Sequence, residues 1–82
     1  MHANIRFLCP EFFPLVPNGT YECPEGSTVQ EFVERCVADF GTPLQNDWSN
    51  KVVLMKDNKP ASKDEMVTDG SDILVLRRVL SG

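Results

Sequence analysis

The chain has 82 residues, which is enough for one domain with one hydrophobic core. Lysine and arginine number 8 and aspartate and glutamate number 12, so the net charge is −4. This balance argues against binding to a nucleic-acid backbone, which needs a basic face, and favours a partner with a basic docking surface. Residues 1–4 lack the charged start of a signal peptide, and no apolar run approaches the ~20 residues of a membrane helix, so we expect neither.

The N-terminal part alternates between apolar and polar residues, and this predicts a strand at residues 4–9 that ends at Pro10. Residues 10–17 contain three prolines and predict a loop or an irregular sheet edge. Phe12 and Phe13 in this loop have two interpretations. We favour packing on the core, because a small domain needs aromatic area, and the alternative makes them candidate docking residues for a partner.

A second strand is predicted at residues 20–23, antiparallel to the first, because Asn18 and Gly19 form a strong hairpin signal. In that hairpin Cys9 lies near the turn and Cys23 at the far end, so we expect no bond between them. With Cys36 the cysteines number three, and their spacing fits neither a disulfide framework nor a metal motif. We interpret them as small buried hydrophobic residues in a reducing cytoplasm.

A helix follows, and either Thr28 with Glu31 or Ser27 with Gln30 forms its capping box. Gly41 ends it. Its apolar residues recur at helical spacing and predict one stripe facing the core: Val29, Phe32, Val33, Cys36, Val37 and Phe40.

The next segment is a polar loop at residues 42–50, in which we expect Trp48 to cover one end of the core. A third strand is predicted at residues 51–55, a turn at 56–59 and a short edge strand at 60–61. Residues 62–68 form a connector, with Met66 and Val67 predicted to point inward.

The last strand begins after a turn at residues 69–72 and contains an unbroken apolar run at 73–76. A strand with apolar residues at successive positions has both faces covered, so we expect it in the middle of the sheet, parallel to the first strand. The prediction is an α+β fold in which one helix packs across a mixed sheet of four or five strands. The expected core is Phe7, Val29, Phe32, Val33, Val37, Leu74 and Leu76.

Three short segments resemble the ubiquitin-like β-grasp family. Residues 24–29 resemble its turn into the helix, residues 55–60 its strand and hairpin, and residues 67–72 its turn into the last strand. Within that family the chain is most similar to the sulfur carriers, the small subunit of molybdopterin synthase and the thiamine-pathway carrier. The resemblance implies a single β-grasp domain over residues 1–82, monomeric when isolated, with a flexible C-terminal tail at 79–82.

The resemblance also implies a function for the tail. An E1-like adenylating enzyme would use ATP to activate the terminal carboxylate of Gly82, and the resulting thiocarboxylate would deliver sulfur to a synthase subunit. The chain itself would be no enzyme and would bind no cofactor or metal. The partner would grip Arg77, Arg78, Val79 and Leu80, although the two arginines are equally well explained as solvated charges that prevent edge association.

One departure from the family concerns its Gly-Gly ending, because this chain ends in Ser81 and Gly82. Three accounts stay open: the carrier tolerates serine, the natural gene continues with another glycine, or the carrier function is lost. In the last case the chain is a ubiquitin-like interaction module. His2, at the N-terminus, is assigned no role, and no other histidine is present to activate a cysteine.

Overall fold

The computed structural model describes residues 1–8, 16–41 and 48–78. Within these ranges five strands form one sheet: β1 (His2–Phe7), β2 (Gly19–Glu22), β3 (Val52–Lys56), β4 (Lys59–Pro60) and β5 (Asp72–Arg77). The helix α1 (Val29–Ala38) packs across one face, and a 3₁₀ turn (Trp48–Asn50) leads into β3. The predictions for Cys9, Phe12 and Phe13, for residues 42–47 and for the tail at 79–82 concern residues outside these described ranges.

The strand order in the sheet is β2-β1-β5-β3-β4. β5 pairs in parallel with β1, with Ile5 opposite Ile73, and in antiparallel with β3, with Leu54 opposite Val75. The predicted central position of the last strand, beside and parallel to the first, is therefore confirmed. The fold is a ubiquitin-like β-grasp, with one helix on a five-stranded mixed sheet in the described ranges.

The helix begins at a capping box formed by Thr28 and Glu31, the first of the two predicted possibilities. The Thr28 hydroxyl accepts from the Glu31 amide at 3.2 Å, and the Glu31 carboxylate accepts from the Thr28 amide at 3.0 Å. The helix ends at Ala38, so Phe40 leaves the stripe and is 40% exposed, contrary to the prediction. No helix of the described residues is both long and apolar enough to span a membrane.

The core lies between α1 and the sheet, and it contains five of the seven residues predicted for it. Leu74 and Leu76 are only partly buried, because they point to the opposite face of the sheet, where no described helix or strand packs. Fully or nearly fully buried side chains include Ala3, Ile5, Phe7, Val29, Phe32, Val33, Val37, Val52, Leu54, Val67, Ile73 and Val75.

The connections correct two expectations and confirm the turn that follows β3. The two-residue turn lies at Asp57 and Asn58, which adopt φ of 52° and 68° as the sequence predicts, whereas Gly19 already belongs to β2. The side-chain oxygen of Asn18 instead accepts a hydrogen bond from the Phe7 amide at 2.7 Å. In the connector Val67 is buried as predicted, but Met66 is 55% exposed, since the chain there forms a β-bridge to Thr28 that turns neighbouring side chains to opposite sides.

Candidate functional site

The candidate site is the face of the sheet opposite α1, which we call the open face. In β5 the side chains of Ile73 and Val75 are buried beneath the helix, so Leu74 and Leu76 point the other way. The same alternation places every second side chain of β1 and β3 on this face, where these side chains lie beside those of β5. We define the apolar patch of the open face as Leu8, Val53, Met55, Leu74 and Leu76.

The apolar patch is built by strand register. Leu74 lies opposite Met55 on one side and Arg6 on the other, and Leu76 lies opposite Val53. Leu8 extends the row of Leu76, because its amide donates to the Val75 carbonyl at 2.8 Å. The patch is therefore contiguous across β1, β5 and β3.

The apolar patch is accessible to a partner. Leu8 is 49% exposed, and the other four residues are partly buried. Contiguous apolar surface on a small protein typically marks an interaction site, whereas single exposed apolar residues need no explanation. The apolar run at residues 73–76 contains two residues of this patch, but such a run alone predicts a strand covered on both faces and not an exposed patch.

The open face has an acidic end at the start of β5. The Asp72 carboxylate accepts a hydrogen bond from the side-chain NH₂ group of Asn4 at 2.9 Å, and the side-chain oxygen of Asn4 accepts from the Thr20 hydroxyl at 2.6 Å. Asp57 joins this row, because its carboxylate accepts from the Asp72 amide at 3.0 Å. These hydrogen bonds orient two exposed carboxylates beside the apolar patch.

The other end of the open face is basic. The β3–β5 pairing continues beyond Arg77, since the Arg78 amide donates to the Lys51 carbonyl at 3.3 Å. Alternation then places Arg78 on the open face and Arg77 on the helix side, and the docking role of the two arginines stays a prediction. Beside Arg78 lies a hollow of about 250 Å³ that Val53 and Ala61 also line.

The remaining members of the predicted docking site, Val79, Leu80, Phe12 and Phe13, lie outside the described residues, and so do the carrier residues Ser81 and Gly82. His2 lies in β1, where its backbone amide donates to the Asp69 carboxylate at 3.0 Å. Trp48 is buried against the core as expected, and its indole N–H donates to the Glu34 carboxylate at 3.3 Å.

The potentially reactive side chains of the described residues include two cysteines, Cys23 and Cys36, both of which are buried free thiols. Burial, reinforced by the Asp39 carboxylate, raises the pKa of Cys36 to about 12, so its nucleophilic thiolate is not formed near neutral pH. Residues 1–8, 16–41 and 48–78 contain no group of three or more histidines, cysteines or carboxylates placed to hold a metal ion.

Comparison with known proteins adds structural relatives only. No family model and no curated sequence matches the chain. Two structures of small archaeal modifier protein 1 from Haloferax volcanii align with TM-scores of 0.76 and 0.77 at 11% and 10% identity, covering 100% and 95% of this chain and 100% and 98% of theirs. A Pyrococcus furiosus protein described as molybdopterin converting factor subunit 1 aligns with a TM-score of 0.70 at 20% identity over 96% of this chain and 99% of its own.

These proteins share the fold of this chain along nearly their whole length, and they include the kind of protein that the sequence resembles. At such low identity the likeness establishes the ubiquitin-like β-grasp fold and no particular activity.

Proposed function

We propose that the chain is a sulfur-carrier protein whose terminal glycine, Gly82, is activated by a partner enzyme. The observation that supports this best is the course of β5, which passes along the apolar patch and remains paired to β3 up to Arg78. Gly82 follows Arg78 by four residues, and four extended residues span at most about 14 Å. A partner that holds Arg78 would therefore have Gly82 within that distance of its grip.

The proposed chemistry takes place in the partner. The carboxylate of Gly82 attacks the α-phosphorus of ATP and pyrophosphate leaves; hydrosulfide, released by a sulfur donor, then attacks the acyl carbon of the adenylate and AMP leaves, which gives a thiocarboxylate. Glycine suits this position because it has no Cβ and adopts conformations that other residues avoid. Ser81 adds a Cβ and a hydroxyl group to the segment that must enter the partner's active site.

The partners we propose are an E1-like adenylating enzyme and a sulfur-accepting synthase subunit, both in the cytoplasm. The cofactor served is a molybdenum or tungsten pterin, or thiamine. The Pyrococcus furiosus structure supports the pterin assignment, since that protein is described as a subunit of the molybdopterin converting factor. In this scheme the chain is a substrate of enzymes and performs no catalysis.

The test is intact-mass measurement after incubation with the adenylating enzyme of the native host, ATP and a sulfur donor. We expect one C-terminal oxygen to be replaced by sulfur. Leu76→Asp, in the apolar patch, should slow this modification, while Met66→Asp, which alters an exposed apolar residue of the connector, should not. A chain that keeps its carboxylate under these conditions contradicts the carrier function for this ending.

The second candidate is a ubiquitin-like interaction module with a non-functional tail. The apolar patch favours it, because Leu8 is exposed and the other patch residues are partly exposed whatever the fate of Gly82, and so does the likeness to the two modifier-protein structures. Appending one glycine separates the candidates. Modification of the extended chain alone would restore the carrier proposal for a Gly-Gly ending, and failure of both chains would favour the module.

A further inference from the structure

The open face combines an apolar centre, which Arg6 borders on β1, with an acidic end and a basic end. Asp72 and Asp57 lie together at the start of β5, and Arg78 lies beyond its end, with Leu74 and Leu76 between them. Arg78 forms no ion pair among the described residues. The salt bridge found in these ranges joins Lys56 to Glu65 at 3.5 Å. A face of this kind is complementary to itself when a second copy is reversed against it.

We propose that two copies of this chain associate through their open faces, with the two β5 strands antiparallel. A twofold axis in the plane of the interface, perpendicular to β5 at Val75, places Leu74 over Leu76 of the partner copy and Arg78 over its Asp72. The alternative twofold axis, parallel to β5, would place Arg78 over a second Arg78. Since like charges facing each other are disfavoured, the charge pattern selects the antiparallel arrangement.

The size of the open face indicates how strong this dimer is. Strands lie about 4.8 Å apart and rise about 3.3 Å per residue, so three strands over residues 72–78 present roughly 300 Å² per copy. Stable interfaces bury about 1,200–2,000 Å² in total, and smaller ones belong to weak, transient complexes. The chain is therefore a monomer when dilute, as the sequence analysis expects, and forms a dimer in rapid exchange when concentrated.

The dimer follows from the open face alone and does not depend on the carrier function. It has a consequence for that function, because it covers the apolar patch that we assign to partner docking. A self-associated chain is therefore unavailable to the adenylating enzyme, and the two forms compete for one surface.

The first test is a concentration series of the wild-type protein by sedimentation, with amide chemical shifts recorded at each concentration. We expect the average mass to rise from monomer toward dimer, and the shifting amides to belong to β1, β5 and β3 rather than to α1. A constant mass over the micromolar-to-millimolar range, or shifts centred on the helix, would overturn the proposal whatever the variants show.

The second test is a charge exchange. Arg78→Asp and Asp72→Arg should each abolish association, because each places like charges opposite one another. The double variant Arg78→Asp/Asp72→Arg should regain it, since both ends are then reversed together. Met66→Asp serves as the control outside the open face and should associate like the wild type.

Substituting Asp72 also removes the hydrogen bond that it accepts from the Asn4 side chain. Circular dichroism therefore has to verify that the Asp72 variants are folded. A folded double variant that stays monomeric, or a Met66→Asp variant that loses association, would refute the antiparallel interface. Neither measurement uses the adenylating enzyme, so its outcome is independent of whether Gly82 is modified.

Discussion

Replacing Phe32 by alanine should remove a large share of the stability of this small fold. Phe32 is 0% exposed and belongs to the core between α1 and the sheet. Truncating a buried phenylalanine costs about 3–5 kcal/mol, which combines lost transfer free energy with the cavity left behind. A chain of this length has a free energy of unfolding of about 4–12 kcal/mol, so the variant should be close to unfolding.

Urea denaturation measures this effect, and Phe40→Ala is the matched control on the same segment. Phe40 is 40% exposed and makes one edge-to-face contact with Tyr21, with ring centroids 6.2 Å apart. Such a pair is worth about 0.5–1.5 kcal/mol, so Phe40→Ala should cost about 1 kcal/mol. With a slope of about 1 kcal/mol per molar urea, Phe32→Ala should lower the midpoint by about 3–5 M. Equal effects of the two variants would refute the assignment of the buried stripe.

Three further predictions concern the cap, the turn and the buried thiol. Thr28→Ala should cost about 1 kcal/mol in urea denaturation, while Gln30→Ala should be nearly neutral because Gln30 takes no part in the capping box. Asn58→Ala should lower the free energy of unfolding by about 1 kcal/mol, since φ of 68° is strained for alanine, and Asn58→Gly should not; equal effects would contradict the left-handed turn. Cys36 should resist thiol reagents near neutral pH until the protein unfolds. The pKa of Cys36 is raised from 9.0 to about 12, so the unfolded state loses the thiol proton at a lower pH than the folded state does. The free energy of unfolding should therefore fall as the pH rises from about 9 toward 12, and Cys36→Ala should weaken this dependence.

Most of the fold could be predicted from the sequence because local and long-range signals agree in it. The spacing of Val29, Phe32, Val33 and Val37 predicts the buried side of α1, and Asp57 and Asn58 mark the only turn whose non-glycine residues have positive φ in the described ranges. The apolar run at residues 73–76 predicts a central strand, and β5 lies there.

The wrong predictions concern residues whose surroundings depend on where a helix ends or how a connecting segment pairs. Phe40 continues the apolar spacing of the helix, but α1 ends at Ala38, and the spacing of the pattern does not reveal this. Met66 was predicted to face inward beside Val67, whereas a β-bridge to Thr28 makes the two alternate. Asn18 and Gly19 have the composition of a tight turn, yet Asn18 uses its side chain to satisfy the Phe7 amide instead.

The apolar run at residues 73–76 predicts the central strand of the fold but does not predict the candidate site. A run of four apolar residues predicts that both faces of the strand are covered, and this is correct for Ile73 and Val75 beneath α1. In the described part of the chain no second helix exists to cover Leu74 and Leu76. The described elements leave Leu74 and Leu76 only partly buried, and the partner or second copy that we propose would bury them further. The central strand thus has two functions, since its odd-numbered residues hold the core together while its even-numbered residues form the centre of the proposed docking face.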